Sequence, residues 1–194
     1  MHEVLLQTIA DKVNLSTEEQ KLIQQYFKPK RLRKRQMLIQ EGDACDRFNF
    51  VTRGSMVTRA IDEMGHERVI SFAFEGWWVG DLNALYKKVP SRLNVEALES
   101  CELLQIRCEH HEALMRAIPA YETYTRIKYQ NACVALLNRI QGSLGLTAEE
   151  KYGRLMKDAP MIAAKVPLTL ISSYLGVTPE TLSRIRKSKN VLTY

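Results

Sequence analysis

Glu180, Ser183 and Arg184 fall within two turns of one segment and carry groups that can read nucleic acid. A guanidinium can pair bidentately with guanine and a carboxylate can accept from cytosine N4. Hydroxyl and ammonium groups can hold backbone phosphates. Thr178, Thr181 and Lys187 extend the set. The chemistry they offer is binding. Catalytic signatures are thin beside it. Cys45, Cys101, Cys108 and Cys133 form no C-x-x-C and no zinc or iron–sulfur spacing, so they read as reduced thiols. His110 and His111 are adjacent and must point to different sides of their element, and no H-x-H or H-E-x-x-H occurs. An enzyme on a cupin-like roll would need histidines on its strands, where only His66 falls. The residues predict no catalytic metal and no enzyme.

The binding residues need a scaffold, and Leu168–Lys187 supplies one. A helix-turn-helix needs a small residue in its first helix, a residue tolerant of left-handed backbone at the turn, and apolar residues where the helices meet. Ser172 and Gly176 fit the first two needs; Ile171, Leu175, Val177, Leu182 and Ile185 fit the third. Thr178 is a suitable N-cap and Pro179 suits the first helical position, where its missing N–H costs nothing. Leu182 and Ile185 then face inward, leaving the polar set outside. From Met161 onward Lys165, Arg184, Arg186, Lys187 and Lys189 stand against Glu180 alone, so much of the net charge of +6 sits here. A second basic run, Lys28 to Arg35, reads as the solvated edge of a strand or as a polyanion surface.

Upstream the periodicity changes twice. Ser16 and Glu19 form a capping box before Leu22, Ile23 and Phe27, predicting a helix that Pro29 closes. From Lys30 to Ile106 short alternating runs, Phe48–Phe50, Val69–Phe74 and Asn94–Ala97, read as strands. Gly42, Gly54, Gly65 and Gly76 recur between them as turns, with a hairpin tip at Asp62–His66. After Pro119, Tyr121, Tyr124, Ile127, Asn131, Val134, Leu137, Ile140 and Leu144 recur at helical spacing. This stripe is either core or the seam of a two-stranded dimer. Gly142–Gly145 breaks the helix, and Thr147 with Glu150 caps the next. The expected class is α+β: an antiparallel, jelly-roll-like β-roll with flanking helices (1–118), a long dimerisation helix (119–144) and a winged helix-turn-helix (145–194). No apolar run is long enough for a membrane span and acidic residues come too early for a signal peptide, which predicts a cytoplasmic protein.

This order of elements, with the stretch Gly176-Val-Thr-Pro-Glu-Thr-Leu-Ser-Arg-Ile-Arg186, resembles the Crp/Fnr family of bacterial transcription regulators. Glu41-Gly42-Asp43, Thr52-Arg53-Gly54-Ser55, Gly80-Asp81-Leu82 and Ala97-Leu98-Glu99-Ser100-Cys101-Glu102-Leu103 also match. The resemblance implies a cyclic-nucleotide-binding-type sensor, a homodimer and a palindromic double-stranded DNA site, with RNA polymerase as a further candidate partner. It places the family's recognition set on Glu180, Ser183 and Arg184. It also implies an effector, a cyclic nucleotide or another small molecule, held near Gly80, Asp81, Ser91 and Arg92.

The sensor departs from the family pattern. Members that bind cyclic AMP have Gly-Glu before an Arg-Ser/Thr-Ala run; the glutamate holds the ribose and the arginine the phosphate. Here Gly80-Asp81 is one methylene shorter, the arginine's place falls on Ser91, and Arg92 comes one residue late. A one-residue shift on a strand turns a side chain to the opposite face, unless the intervening loop absorbs it. Losing the guanidinium forfeits charge-assisted bonds worth roughly 1.5–3 kcal/mol each. Cyclic AMP is therefore disfavoured. No cysteine precedes Cys45 to form the N-terminal iron–sulfur cluster of other members, and no haem ligand is identifiable. Only Asn190–Tyr194 follows the expected recognition helix, which predicts a short wing. The leading expectation is a DNA-binding transcription regulator. The alternative is an effector-binding or protein-interaction module without sequence-specific DNA binding.

Overall fold

The computed structural model of the chain describes residues 1–191, the last three as backbone only. The chain divides into two compact units, Met1–Gln130 and Asn131 onward. Among the described residues no helix is long and apolar enough to cross a membrane.

The first unit opens with helices α1 (His2–Ala10) and α2 (Thr17–Tyr26). The Ser16–Glu19 capping box forms as the sequence predicts, each side chain bonding the other's backbone N–H. Pro29 does not close the helix. α2 ends at Tyr26, and Pro29 lies inside the first strand, β1 (Lys28–Leu32), on a sheet edge where a missing N–H is tolerated. Strands β2 (Met37–Ile39), β3 (Arg47–Arg53), β4 (Ser55–Ile61), β5 (Glu67–Phe74), β6 (Trp78–Val79), β7 (Leu93–Ala97) and β8 (Cys101–Arg107) follow. They form two antiparallel sheets in the orders β1-β8-β3-β6 and β2-β7-β4-β5. Helices α3 (Leu82–Lys87) and α4 (Cys108–Ala117) lie within and after the strands, where their shortness hid them from periodicity.

The central strands β3 and β8 bury side chains on both faces, and each face meets a different partner. Phe48, Phe50, Leu104 and Ile106 pack with Leu5, Ile9, Ile23, Phe27, Leu114, Tyr121 and Tyr124, that is, with the helices. Their alternates Val51, Cys101 and Leu103 pack with Met56, Ala73 and Val95 of the second sheet. Polar Asn49 between Phe48 and Phe50 is buried as well and is satisfied there, its Nδ2 donating to the Val79 carbonyl at 3.2 Å and its Oδ1 accepting from Gln105 Nε2 at 2.7 Å. The predicted glycine turns all have positive φ, and Gly54 is the most constrained. At φ +96, a Cβ there would stand 2.7 Å from Cys101 Sγ and 2.9 Å from the Ser100 carbonyl oxygen.

His111 of α4 is buried among rings, with Nδ1 2.7 Å from the Tyr121 hydroxyl and Phe48 and Trp78 alongside. Burial pushes its pKa down from 6.5 to about 4. The native state therefore holds the neutral ring, and its contribution is complete above pH 6.5 and lost as pH falls toward 4. At pH 5 the expected loss is about 2 kcal/mol. Urea unfolding at pH 7.5 and pH 5 should show that loss in the parent and a smaller one in His111→Gln. Equal losses in both would rule out this histidine as the source.

Helix α5 (Pro119–Gly145) crosses from the first unit into the second. Tyr121 and Tyr124 are fully buried in the roll's core, whereas Val134, Leu137, Ile140 and Leu144 are 54–84% exposed. The stripe read from sequence thus has two different surroundings. Gly142 does not break the helix. It is buried within it, and a Cβ there would meet Leu146 Cδ1 at 3.3 Å.

The second unit continues with α6 (Ala148–Asp158), α7 (Met161–Lys165), α8 (Leu168–Leu175) and α9 (Pro179–Val191). The Thr147–Glu150 capping box starts α6 as expected. α9 runs through Asn190 and Val191, two residues assigned above to the chain beyond it; the remainder of the expected short wing lies outside the described residues.

Candidate nucleic-acid interface and effector region

α8 and α9 meet as a helical hairpin. Gly176 stands at φ +69, a left-handed position that glycine adopts without steric cost, and caps α8. The Gly176 and Val177 N–H groups donate to the carbonyls of Ser173 and Ser172. Ser172 is buried and turns its hydroxyl onto the Thr169 carbonyl at 2.8 Å, so it adds no unsatisfied group where the helices are close. Ile171, Leu182 and Ile185 are buried.

Thr178 accepts from the Thr181 N–H at 3.2 Å and caps α9. The Glu180 carboxyl is held below its usual range by its own backbone N–H and by the Thr178 hydroxyl, so it is charged at neutral pH. At 100° per residue, Glu180, Arg184 and Lys187 lie within about 60° of one another, opposite buried Leu182. All three are exposed, and Ser183 flanks them half-buried. Thr181 lies on the other flank. It lines a cleft of about 520 Å³ with Arg184, Ile185 and Ser188 of α9 and Thr147, Ala148 and Glu149 at the start of α6. Arg184 stands on the shoulder between the outer face and this cleft. The cleft's residues from α6 were not foreseen. The capping box was legible, but its approach to α9 depends on tertiary packing.

In the roll, the structure brings three of the four effector candidates together. Gly80 leads into α3, and Asp81 is its N-cap: one carboxylate oxygen accepts from the Ala84 N–H at 3.0 Å. The other accepts from the Ser91 hydroxyl at 3.0 Å and, more weakly, from the Arg92 N–H at 3.4 Å. Asp81 and Ser91 are buried. The loop before β3 closes over them, Gly42 N–H donating to the Ser91 carbonyl and Ser91 N–H to the Asp43 carbonyl, both at 2.8 Å. Burial pushes the neighbouring Cys45 thiol up, as do the nearby Asp81 and Asp43 carboxylates. The Arg92 side chain is exposed; it lies with Ser91 in the loop before β7, where the strand-face argument made from sequence does not apply. Trp78 is packed, with its indole N–H on the Tyr124 hydroxyl at 3.1 Å, while Trp77 is 40% exposed.

Asp81→Ala is expected to destabilise the ligand-free protein by about 1–2 kcal/mol. The α3 cap is lost, while the Ser91 hydroxyl can turn to the Leu93 carbonyl at 3.1 Å. Chemical denaturation without any ligand checks this. Unchanged stability would mean that Asp81 is held for a ligand and not for the fold.

This architecture defines a class: a cyclic-nucleotide-binding-type roll joined through a long helix to a helix-turn-helix. Residues 29–117 match the family model described as the cyclic nucleotide-binding domain. The anaerobic regulatory protein of Pasteurella multocida is 26% identical over 167 residues, 80% of this chain. The chain spans about 60% of that relative's length. Among solved structures, the c-di-GMP-responsive global regulator CLP of Xanthomonas campestris is similar at TM-score 0.72 and 15% identity, covering 91% of this chain and 92% of that one. FixK2 of Bradyrhizobium japonicum is similar at TM-score 0.69 and 17% identity, covering 86% and 85%.

Proposed function

We propose that the chain is a homodimeric, sequence-specific DNA-binding transcription regulator. The observation that carries the reading is α9: a capped helix held by Leu182 and Ile185, with Glu180, Ser183, Arg184 and Lys187 gathered on its outer face. A recognition helix reads base edges from its first turns, and a two-fold dimer reads two half-sites about one helical turn apart. Residues 1–118 serve as the sensor, 119–144 as the connecting and dimerising helix, and 145–194 as the DNA-binding part. The regulator acts in the cytoplasm, catalyses no reaction, and meets RNA polymerase at its promoters.

Selection from a random duplex pool with the full chain tests the reading. Enriched sites should contain inverted half-sites. No enrichment would favour the second reading, an effector or interaction module without sequence-specific DNA binding.

We infer that cyclic AMP is disfavoured as an effector of this roll, whose ligand is otherwise open. Asp81 and Ser91 bond each other at 3.0 Å where the resemblance calls for ribose and phosphate contacts, and carboxylates crowd a place an anion would need. Calorimetric titration with cyclic AMP and cyclic GMP is expected to give no heat at micromolar concentrations. Micromolar binding would show that Arg92 swings in to meet the phosphate.

A further inference from the structure

We propose that the basic turn joining β1 to β2 is a second polyanion surface, one that binds the phosphate backbone of duplex DNA. Lys28, Lys30, Arg31, Arg33, Lys34 and Arg35 are all exposed, and no acid lies among them. Residues 1–130 hold 19 Lys and Arg against 18 Asp and Glu, so this short run is positive on a unit that is otherwise negative.

Edge protection accounts for only half of the run. β1 is the edge of its sheet, and charges on Lys28, Lys30 and Arg31 keep that edge from pairing. Arg31 is also paired with Glu102 at 3.2 Å. Arg33, Lys34 and Arg35 come after the strand and protect no ladder. Their turn is fixed all the same. The Arg33 N–H donates to Gln36 Oε1 and the Gln36 N–H to the Arg33 carbonyl, both at 3.0 Å, and the Arg35 N–H donates to the Ala97 carbonyl at 2.7 Å. Arg35 stands at φ +66, where glycine or asparagine would be less strained. Three consecutive cations are thus presented on a rigid turn, one of them at a cost to the backbone.

The composition selects the partner. Protein–protein interfaces centre on buried aromatic and apolar anchors and are depleted in lysine. Here the one apolar side chain with an inward position, Leu32, is buried in the roll, and no aromatic residue lies in the run. Phosphate binding needs only positive charge. The choice of DNA as the ligand rests on the reading of the chain as a DNA-binding protein.

The test is the full chain carrying Arg33→Gln, Lys34→Gln and Arg35→Asn, asparagine being tolerant of the left-handed backbone at 35. Binding to a random duplex of about 60 base pairs is followed by anisotropy across salt concentrations. At about 0.9 per phosphate contact, the slope of log K against log salt should shrink by about 2–3 per protomer, with site preference unchanged. The same decrease should appear in a chain that also carries Arg184→Ala and Lys187→Ala. An unchanged slope overturns the proposal and leaves the α9 reading standing. A decreased slope in a chain that shows no site preference overturns the α9 reading and leaves this one. Capture by polyglutamate with an unchanged duplex slope would transfer the turn to an acidic polypeptide, and so also overturns it. A melting midpoint no lower than the parent's shows that the triple variant keeps its fold.

Discussion

A chain carrying Leu137→Asp and Ile140→Asp is expected to be monomeric at concentrations where the parent is a dimer. The second unit uses one side of α5 for its own packing. There Gly142 is buried and the Arg139 guanidinium lies 4.4 Å over the Tyr174 ring. Cys133, Leu137, Ile140 and Leu144, spaced by four, three and four residues, cluster about 170° from Gly142 on the helix circumference. That spacing is the seam of a two-stranded coil. Each buried leucine or isoleucine contributes roughly 1.5–3 kcal/mol, and a symmetric pair loses four side chains at once. The dimer constant should therefore weaken by more than about a hundredfold. Light scattering reads the mass directly, and circular dichroism should show retained helix because both positions are already exposed in the single chain. Val134, a member of the stripe read from sequence, lies about 90° from the centre of this narrower seam, so Val134→Asp serves as the control with little effect. A double variant that remains dimeric would place the interface elsewhere.

Arg184→Ala should abolish most of the discrimination between a selected site and its scrambled counterpart. A bidentate guanidinium–guanine pair is worth about 1–3 kcal/mol against the wrong base, and a two-fold dimer loses two. Arg184→Lys should not rescue the preference, since an ammonium cannot reproduce the planar fork. Lys187→Ala gives the contrast: affinity should fall about equally on all sequences and the salt slope should shrink by about one per protomer. Discrimination that survives Arg184→Ala would remove this residue from base readout. Because Arg184 also borders the cleft beside the start of α6, uniform weakening would then assign it to a phosphate.

Some of this was legible in the sequence because the signals were local. Capping boxes at Ser16 and Thr147, the N-cap at Thr178 and the left-handed glycine at 176 depend on residues within one turn, and the structure shows each of them. The roll was legible from regular glycine turns. What stayed hidden depends on distant partners. Asp81 looked like a shortened ligand contact because its bond to Ser91 spans ten residues and a helix. Gly142 reads as a breaker on propensity alone, yet α5 continues through it, and a Cβ there would meet not only Leu146 but the Arg154 side chain, twelve residues on, at 3.8 Å.

The Asp81–Ser91 bond bears on how the roll answers any ligand at all. A molecule that must part these two side chains binds only the opened minority of the population, and its apparent affinity falls by that fraction. If opening costs about 1–2 kcal/mol, the factor is roughly 5–30. A ligand that seats elsewhere on the roll bears no such penalty. The Asp81–Ser91 bond thus lowers the apparent affinity of any molecule that must part the pair and leaves that of other molecules untouched.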